Sequence, residues 1–314
     1  MKKILSVFLC AALVLTFAVS ACADDFLNMA TGGTSGTYYA LGAELCTMLS
    51  NEIEGVDVSP AIGNGSASNI RELDSGDADL AFSQADVALY AWQGIESFDG
   101  EQTQSFGVIG VLYPEVVQAV YCDETGITSI KDFAGRSISI GAAGSGVYQS
   151  VLDFLSYSEM ALEDIAPNYL SFAESSDAIK NNQIDAAFIT AGLPNSAIQD
   201  LASVRNVELL SLDDAVIEKL CADKPYVPYT IPAGTYNGQD LDAKTVAINS
   251  VLLASAELDE DTVYAITKAI YEQTAQMTHS AASYIKLETA IDGIPAEMLH
   301  PGAVKYYTEM GILQ

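Results

Sequence analysis

Ser35-Gly36-Thr37-Tyr38, followed by Leu45, is echoed by Ser145-Gly146-Val147-Tyr148, followed at the same offset by Leu155. Downstream of each comes a second shared phrase, Asp79-Leu80-Ala81-Phe82 and then Asp185-Ala186-Ala187-Phe188. The copies of the first phrase lie 110 residues apart and those of the second 106, so order and spacing are both kept. Each half reads as a glycine-hydroxyl loop, a helix, and later a short apolar strand ending in a polar loop. Shared α/β turn chemistry is the plainer explanation. The sharper one is two similar α/β lobes that face each other across a cleft lined by the two glycine loops.

Residues 26–31 read as a strand entering Thr31-Gly32-Gly33-Thr34-Ser35-Gly36-Thr37, after which Tyr38, Leu41, Leu45 and Leu49 recur at helical spacing. Val56-Asp57-Val58 leads to Gly63-Asn64-Gly65-Ser66 and a helix with Ile70 and Leu73. The third strand, 79–82, enters a loop starting Ser83-Gln84-Ala85-Asp86. Three successive strand–loop–helix units predict a parallel sheet with its loops along one edge. The pattern restarts after Pro114 with a strand at 116–121. A second alternating strand at 136–140 meets the loop 141–146, and a third at 186–189 ends in Thr190-Ala191-Gly192-Leu193-Pro194. Crossovers near 110–114 and at the prolines of 225–232 would join the lobes. Lobe 1 is then 24–112 with 229–314, and lobe 2 is 113–228.

The first 23 residues read as an export signal, with Lys2 and Lys3 before the apolar run 4–18. Two processing readings stand side by side: cleavage after Ala23, or a lipoprotein box, Val19-Ser20-Ala21-Cys22, that would anchor the protein through Cys22. Either one predicts a periplasmic or otherwise extracytoplasmic protein. Lys and Arg number 13 against 42 Asp and Glu, a formal charge of −29, and that acidity excludes nucleic acid and anionic membrane surfaces as partners. Beyond the signal, only Cys46, Cys122 and Cys221 remain, without metal or disulfide spacing, and Cys46 falls on an apolar helix stripe.

Catalytic signatures are missing: no nucleophile elbow, phosphate-binding loop or zincin pair occurs. His279 and His300 lie outside the glycine loops, with His300-Pro301-Gly302 reading as a surface or capping turn. The chemistry on offer is a neutral binding cleft. Helix N-termini carry free N–H groups and partial positive charge, which suits a carboxylate or zwitterion without a buried arginine. The ligand-binding candidates in the first lobe are Gly33, Thr34, Ser35, Gly36, Thr37 and Tyr38, then Asn64 and Ser66, then Ser83 and Gln84. Tyr113, the trio Gly144, Ser145 and Gly146, and the trio Thr190, Ala191 and Gly192 complete the set. Either Tyr38 or Tyr39 could face the cleft. Arg71 and Arg136 read as solvated or structural. No cofactor or metal is expected, and the protein is expected to be a monomer that closes on its solute by hinge bending.

The segment from Asn28 to Tyr39 resembles the N-terminal motif of the TAXI family, the extracytoplasmic solute-binding subunits of TRAP transporters. The resemblance continues through Leu73 to Asp86, Leu112-Tyr113-Pro114-Glu115, Gly141 to Gly146, Tyr169 to Phe172, Asp185 to Pro194, Leu210 to Asp214, Tyr229 to Gly238 and Leu299 to Gly302. It implies a type II periplasmic-binding-protein fold and delivery of glutamate, a related amino acid or a 2-oxoglutarate-like dicarboxylate to a TRAP permease. The loop at 63–68 departs from the family pattern. An input protein of a signalling system with the same fold is the alternative function, and a secreted hydrolase a remote one.

Overall fold

The computed structural model describes residues 25–313; the export signal and Cys22 lie outside the described residues. Three strand–helix units open the chain. They are β1 (Asp25–Ala30) with α1 (Thr37–Glu52), β2 (Val56–Ala61) with α2 (Ser66–Ser75), and β3 (Leu80–Gln84) with α3 (Ala85–Gln93). These three strands run parallel, as the repeated loop chemistry predicts. β3 extends through Ser83 and Gln84, which the sequence placed in a loop.

The next strand, β4 (Phe106–Cys122), is 17 residues long and passes straight through Pro114. It pairs antiparallel with the equally continuous β10 (Ala243–Ser255). The second half contributes β5 (Ser137–Ser139), α4 (Gly146–Tyr157), β6 (Ala166–Asn168), α5 (Phe172–Lys180), β7 (Ala186–Ala191), α6 (Ser196–Ala202) and β8 (Val207–Leu209). After these come α7 (Asp214–Asp223) and β9 (Val227–Ile231), and beyond β10 the chain ends in α8 (Glu260–Gln273) and α9 (Pro301–Glu309). The strands form one mixed sheet in the order β2-β1-β3-β10-β4-β7-β5-β6, with β8 on β4 and β9 on β10.

Both lobes therefore hang from one strand pair. On the first wing, alternation sends Met29, Phe82 and Ile109 to the face covered by α1 and α8. Ala30, Ala81 and Val108 go to the face covered by α2, α3 and α9. The second wing is sandwiched likewise, with α4 and α7 on one face and α5 and α6 on the other. The result is two α/β/α lobes. The chain crosses between them inside β4 and β10; one register shift, skipping Leu112, lies beside the crossing, and a second, skipping Ile109, lies within the first wing. Pro114, opposite Asn249, sits beside the first of these bulges, where a missing N–H disturbs the ladder least.

The second crossing differs from the expectation. Residues 225–232 do not carry the chain between lobes: β9 is an edge strand bonded to the first half of β10, and Ile231 packs in the second lobe. Pro228 is tolerated there because the strand pairs on one side only. His300 is buried, not on the surface, and caps α9 through Nδ1, which accepts the Gly302 N–H at 3.2 Å.

Phe188 anchors the second lobe, fully buried with its ring edge-on to Phe133 and Phe154 at centroid distances of 5.6 and 5.9 Å. Phe188→Ala should cost about 3–5 kcal/mol. The measurement is the urea midpoint, with an unchanged slope showing that the loss is in native packing.

Candidate functional site

A cavity of about 360 Å³ opens between the lobes, within the size range of small-molecule sites. Its floor is the crossing itself. Tyr113 and Glu115 are two apart on β4, so both point to the same side of the strand, and both line the cavity. Its walls are the starts of four helices: Gly36 to Tyr38 at α1, Gly65 and Ser66 at α2, Ser145 to Val147 at α4, and Ser171 to Ala173 at α5.

A helix start leaves N–H groups without intrahelical partners. At α1 and α2 the N-cap residues are Gly36 and Gly65, which bring no side-chain oxygen to claim those groups. Gly65 also has φ +101°, a conformation that favours glycine. At α4 and α5 the caps are Ser145 and Ser171, whose Oγ atoms accept the third-position N–H at 3.4 Å and leave the earlier ones free. Asn69, wholly buried on α2, ties the first-lobe loops together by donating to the carbonyls of Thr31 and Phe82, each at 2.8 Å.

Of the candidates named from the sequence, most share this one cavity wall: the segment Gly33 to Tyr38, Asn64, Ser66, Gln84, Tyr113, Ser145, Gly146, Thr190 and Ala191. Tyr38, not Tyr39, faces the cavity; its ring stacks on Phe82 at 4.9 Å and its hydroxyl lies 3.4 Å from Ser66 Oγ. Three candidates lie elsewhere. Ser83 is fully buried and bonds its own strand through the Gln84 carbonyl. Gly144 and Gly192 join lobe to lobe beside the cavity: the Gly144 carbonyl accepts the Ser68 N–H at 3.0 Å, and the Gly192 N–H donates to Thr37 Oγ1 at 3.1 Å. Asn195 and Ser196 add bonds to the Ser35 carbonyl at 3.1 and 3.0 Å. The lobes are in contact, and the arrangement is closed. Arg71 and Arg136 pair with Glu101 and Asp185 away from the cavity.

The sequence reading missed Glu115, Phe172 and Ser171. Glu115 carried a signal: it is the only charged residue in the 17 residues of β4. Among the described residues no lysine, arginine or histidine lines the cavity, and Glu115 is the one carboxyl there. Burial pushes its pKa up to about 8, with hydroxyls of Tyr38 and Ser250 opposing and buried Asp86 adding to the rise. Burial also raises the Tyr38 and Tyr113 phenols well above their ordinary value. Behind the floor, Asp86 is lifted to about 7 by burial and by Asp153. Lys224, just after α7, reaches across to Glu96 at 2.8 Å while lying 3.4 Å from Asp153, closing that side of the cleft.

Comparison with known proteins places this geometry. The family model described as the NMT1-like family matches residues 29–311. Among solved structures, a protein of Bordetella bronchiseptica RB50 superposes with a TM-score of 0.58 at 19% identity, over 90% of this chain and 82% of that one. PhnD1 from Prochlorococcus marinus, in complex with methylphosphonate, gives 0.56 at 12% identity over 92% and 99%. The ligand-binding component of an ABC-type import system from Staphylococcus aureus gives 0.54 at 12% over 92% and 93%. At these identities the likeness is one of fold: the chain has the two-lobed fold of periplasmic solute-binding proteins. The family matched is the NMT1-like family and not the TAXI family that the motifs resemble, so TAXI membership falls, and the TRAP permease expected with it. Those motifs are mainly strand-end loops and helix starts, which the cleft of this fold requires whatever the subfamily.

Gly146 is where closure is tightest. A Cβ there would run into the Gln84 side chain and lie 2.7 Å from Ser66 Oγ, both on the opposite lobe. Overpacking of this kind costs about 1–3 kcal/mol, and here it falls on the closed arrangement. Gly146→Ala should therefore weaken solute binding about 5- to 150-fold and leave the solute-free urea midpoint near wild type. Lost stability with unchanged affinity would assign the contact to folding instead.

Proposed function

The chain belongs to the NMT1-like family, and from that premise we propose that it captures a small carboxylate-bearing solute outside the cytoplasmic membrane and hands it to a membrane import permease. What supports the reading is a single observation: four helix N-termini converge on one cavity between the lobes, whose walls carry no basic side chain among the described residues. With a formal charge of −29 the general field repels an anion, so a carboxylate must be held by local N–H groups. Short donors from both lobes (Thr37 and Ser66 from the first, Ser145 and Thr190 from the second) stand around those N–H groups. No catalytic step is proposed. His279 and His300 are engaged as helix caps, their Nδ1 atoms accepting N–H groups of Ala281 and Gly302.

The permease class is proposed as ABC-type, the class named for the Staphylococcus aureus neighbour. Among the described residues no helix is long and apolar enough to cross a membrane, so transport would need a separate membrane partner. Placement outside the membrane rests on the export signal at 1–23.

Calorimetry against amino acids, dicarboxylates, sugars and polyamines tests the reading. We expect micromolar or tighter binding of a carboxylate, roughly −8 kcal/mol or better, and a smaller radius of gyration by small-angle scattering when it binds. Preference for a neutral sugar or a polyamine would sink the proposal, and an unchanged scattering profile would remove the hinge from it.

A further inference from the structure

Four helix starts account for the walls of the cavity but not for its floor. There, two buried acceptor oxygens stand without a partner. Glu115 is 2% exposed and Gln84 1% exposed, and among the described residues neither Glu115 Oε1 nor Gln84 Oε1 receives a hydrogen bond. Both side chains line the cavity. The Tyr113 hydroxyl beside them is likewise buried and without a partner. Leaving such groups unmet is costly, about 1–3 kcal/mol for each neutral group and more for a charged one, so a ligand that fits this floor must bring donors to it. A second carboxylate brings no donor hydrogen and so cannot meet Glu115 Oε1 or Gln84 Oε1.

We propose that Glu115 and Gln84 form an acceptor pole that selects solutes carrying a nitrogen donor, foremost an ammonium group, at the end opposite the carboxylate-holding helix starts. This rests on the carboxylate reading above and deepens it: the preferred solute has an anionic end and an N–H-bearing end within one small cavity. Glu115 is then a specificity-determining residue, and a 2-oxo or 2-hydroxy acid of the same skeleton is discriminated against because it offers the pole fewer donors or none.

The pole has a proton consequence. With its pKa at about 8, Glu115 is mostly protonated at pH 7 in the empty cavity. When an ammonium docks, the carboxyl gives its proton to solvent and the pair becomes carboxylate and ammonium, so binding releases about one proton. Affinity for an ammonium solute should rise with pH up to about 8 and level off above it. The ionisable groups facing Glu115 are Tyr38 from α1, Tyr113 on its own strand, and Asp86 from α3, with Asp153 and Lys224 behind Asp86. Both phenols titrate far above this range. Asp86, at about 7, is the one competitor and is separated by substitution.

The experiment is calorimetry on the whole mature protein with the proteinogenic amino acids, their 2-hydroxy acids and their decarboxylated amines. It is run at pH 7 in two buffers of different ionisation enthalpy. We expect an amino acid to bind about 10-fold or more tighter than its 2-hydroxy acid, with about one proton released. Glu115→Gln should remove both the preference and the release, while Asp86→Asn keeps both. Should Glu115→Gln fail to fold, Glu115→Asp keeps the charge and should keep the release, and the wild-type proton count stands without any variant. Hydroxy acids binding as well as amino acids, or no proton release, overturns the pole and leaves the carboxylate reading intact. Amines binding without a carboxylate, and lost on Glu115→Gln, keeps the pole and overturns the carboxylate reading. No binding from any set overturns both.

Discussion

Everything in this molecule depends on the antiparallel pairing of β4 with β10. Each strand serves both wings of the sheet, so the lobes share a spine while their cores stay separate. Two connections of this kind forbid free tumbling and leave bending as the soft motion. The bulge that skips Leu112 loosens the ladder where the chain changes lobe. Pro114 is accommodated beside that bulge and is no defect of the strand.

The electrostatics follow from the same geometry. A chain of net charge −29 builds a cavity with no basic lining and relies on partial charges at helix starts. Those charges are screened in open water but count for more in an enclosed, low-dielectric space. Closure would thus strengthen the interactions proposed to hold an anion. Glycine at the α1 and α2 caps serves this purpose in two ways: it brings no side-chain oxygen to claim the N–H groups, and it lets backbone approach backbone, as where the Ser68 N–H meets the Gly144 carbonyl across the lobes.

How much of this the sequence discloses depends on the range over which the cause acts. Glycine-hydroxyl loops, capping residues and helical spacing are local, so α1, α2, α4 and the loops around the cavity can be read from their own neighbourhoods. The spine cannot. Pro114 reads as a break because the bulge that accommodates it is created by β10, more than a hundred residues away. Prolines 225, 228 and 232 read as a crossover because only the partner reveals that β9 is an edge. Ser83 shares a loop-like phrase with Gln84, but strand alternation sends one side chain into the protein and the other into the cavity. Glu115 is the sharpest case. A lone acid in an apolar strand is visible, yet its meaning comes from the β3, β10 and α1 groups that surround it.

A floor on the hinge and walls on the lobes divide recognition from closure. Tyr113 and Glu115 lie at the crossing, where hinge bending displaces atoms least, so their surroundings change little between open and closed forms. On the proposed hinge, the second-lobe groups lining the cavity, Ser145, Gly146 and Thr190, would swing furthest and meet a solute held on the first lobe only when the cleft shuts. A ligand favours the closed form only through interactions that the open form lacks. On the proposed hinge, contacts with the floor would discriminate among carboxylate solutes without driving the motion, and contacts with the second-lobe helix starts would hold the carboxylate and draw the cleft shut. A solute that satisfies the floor but is too short to span to α4 would bind and leave the cleft open. On this proposal selectivity and closure are written largely on different elements, and a substitution could change one while sparing the other.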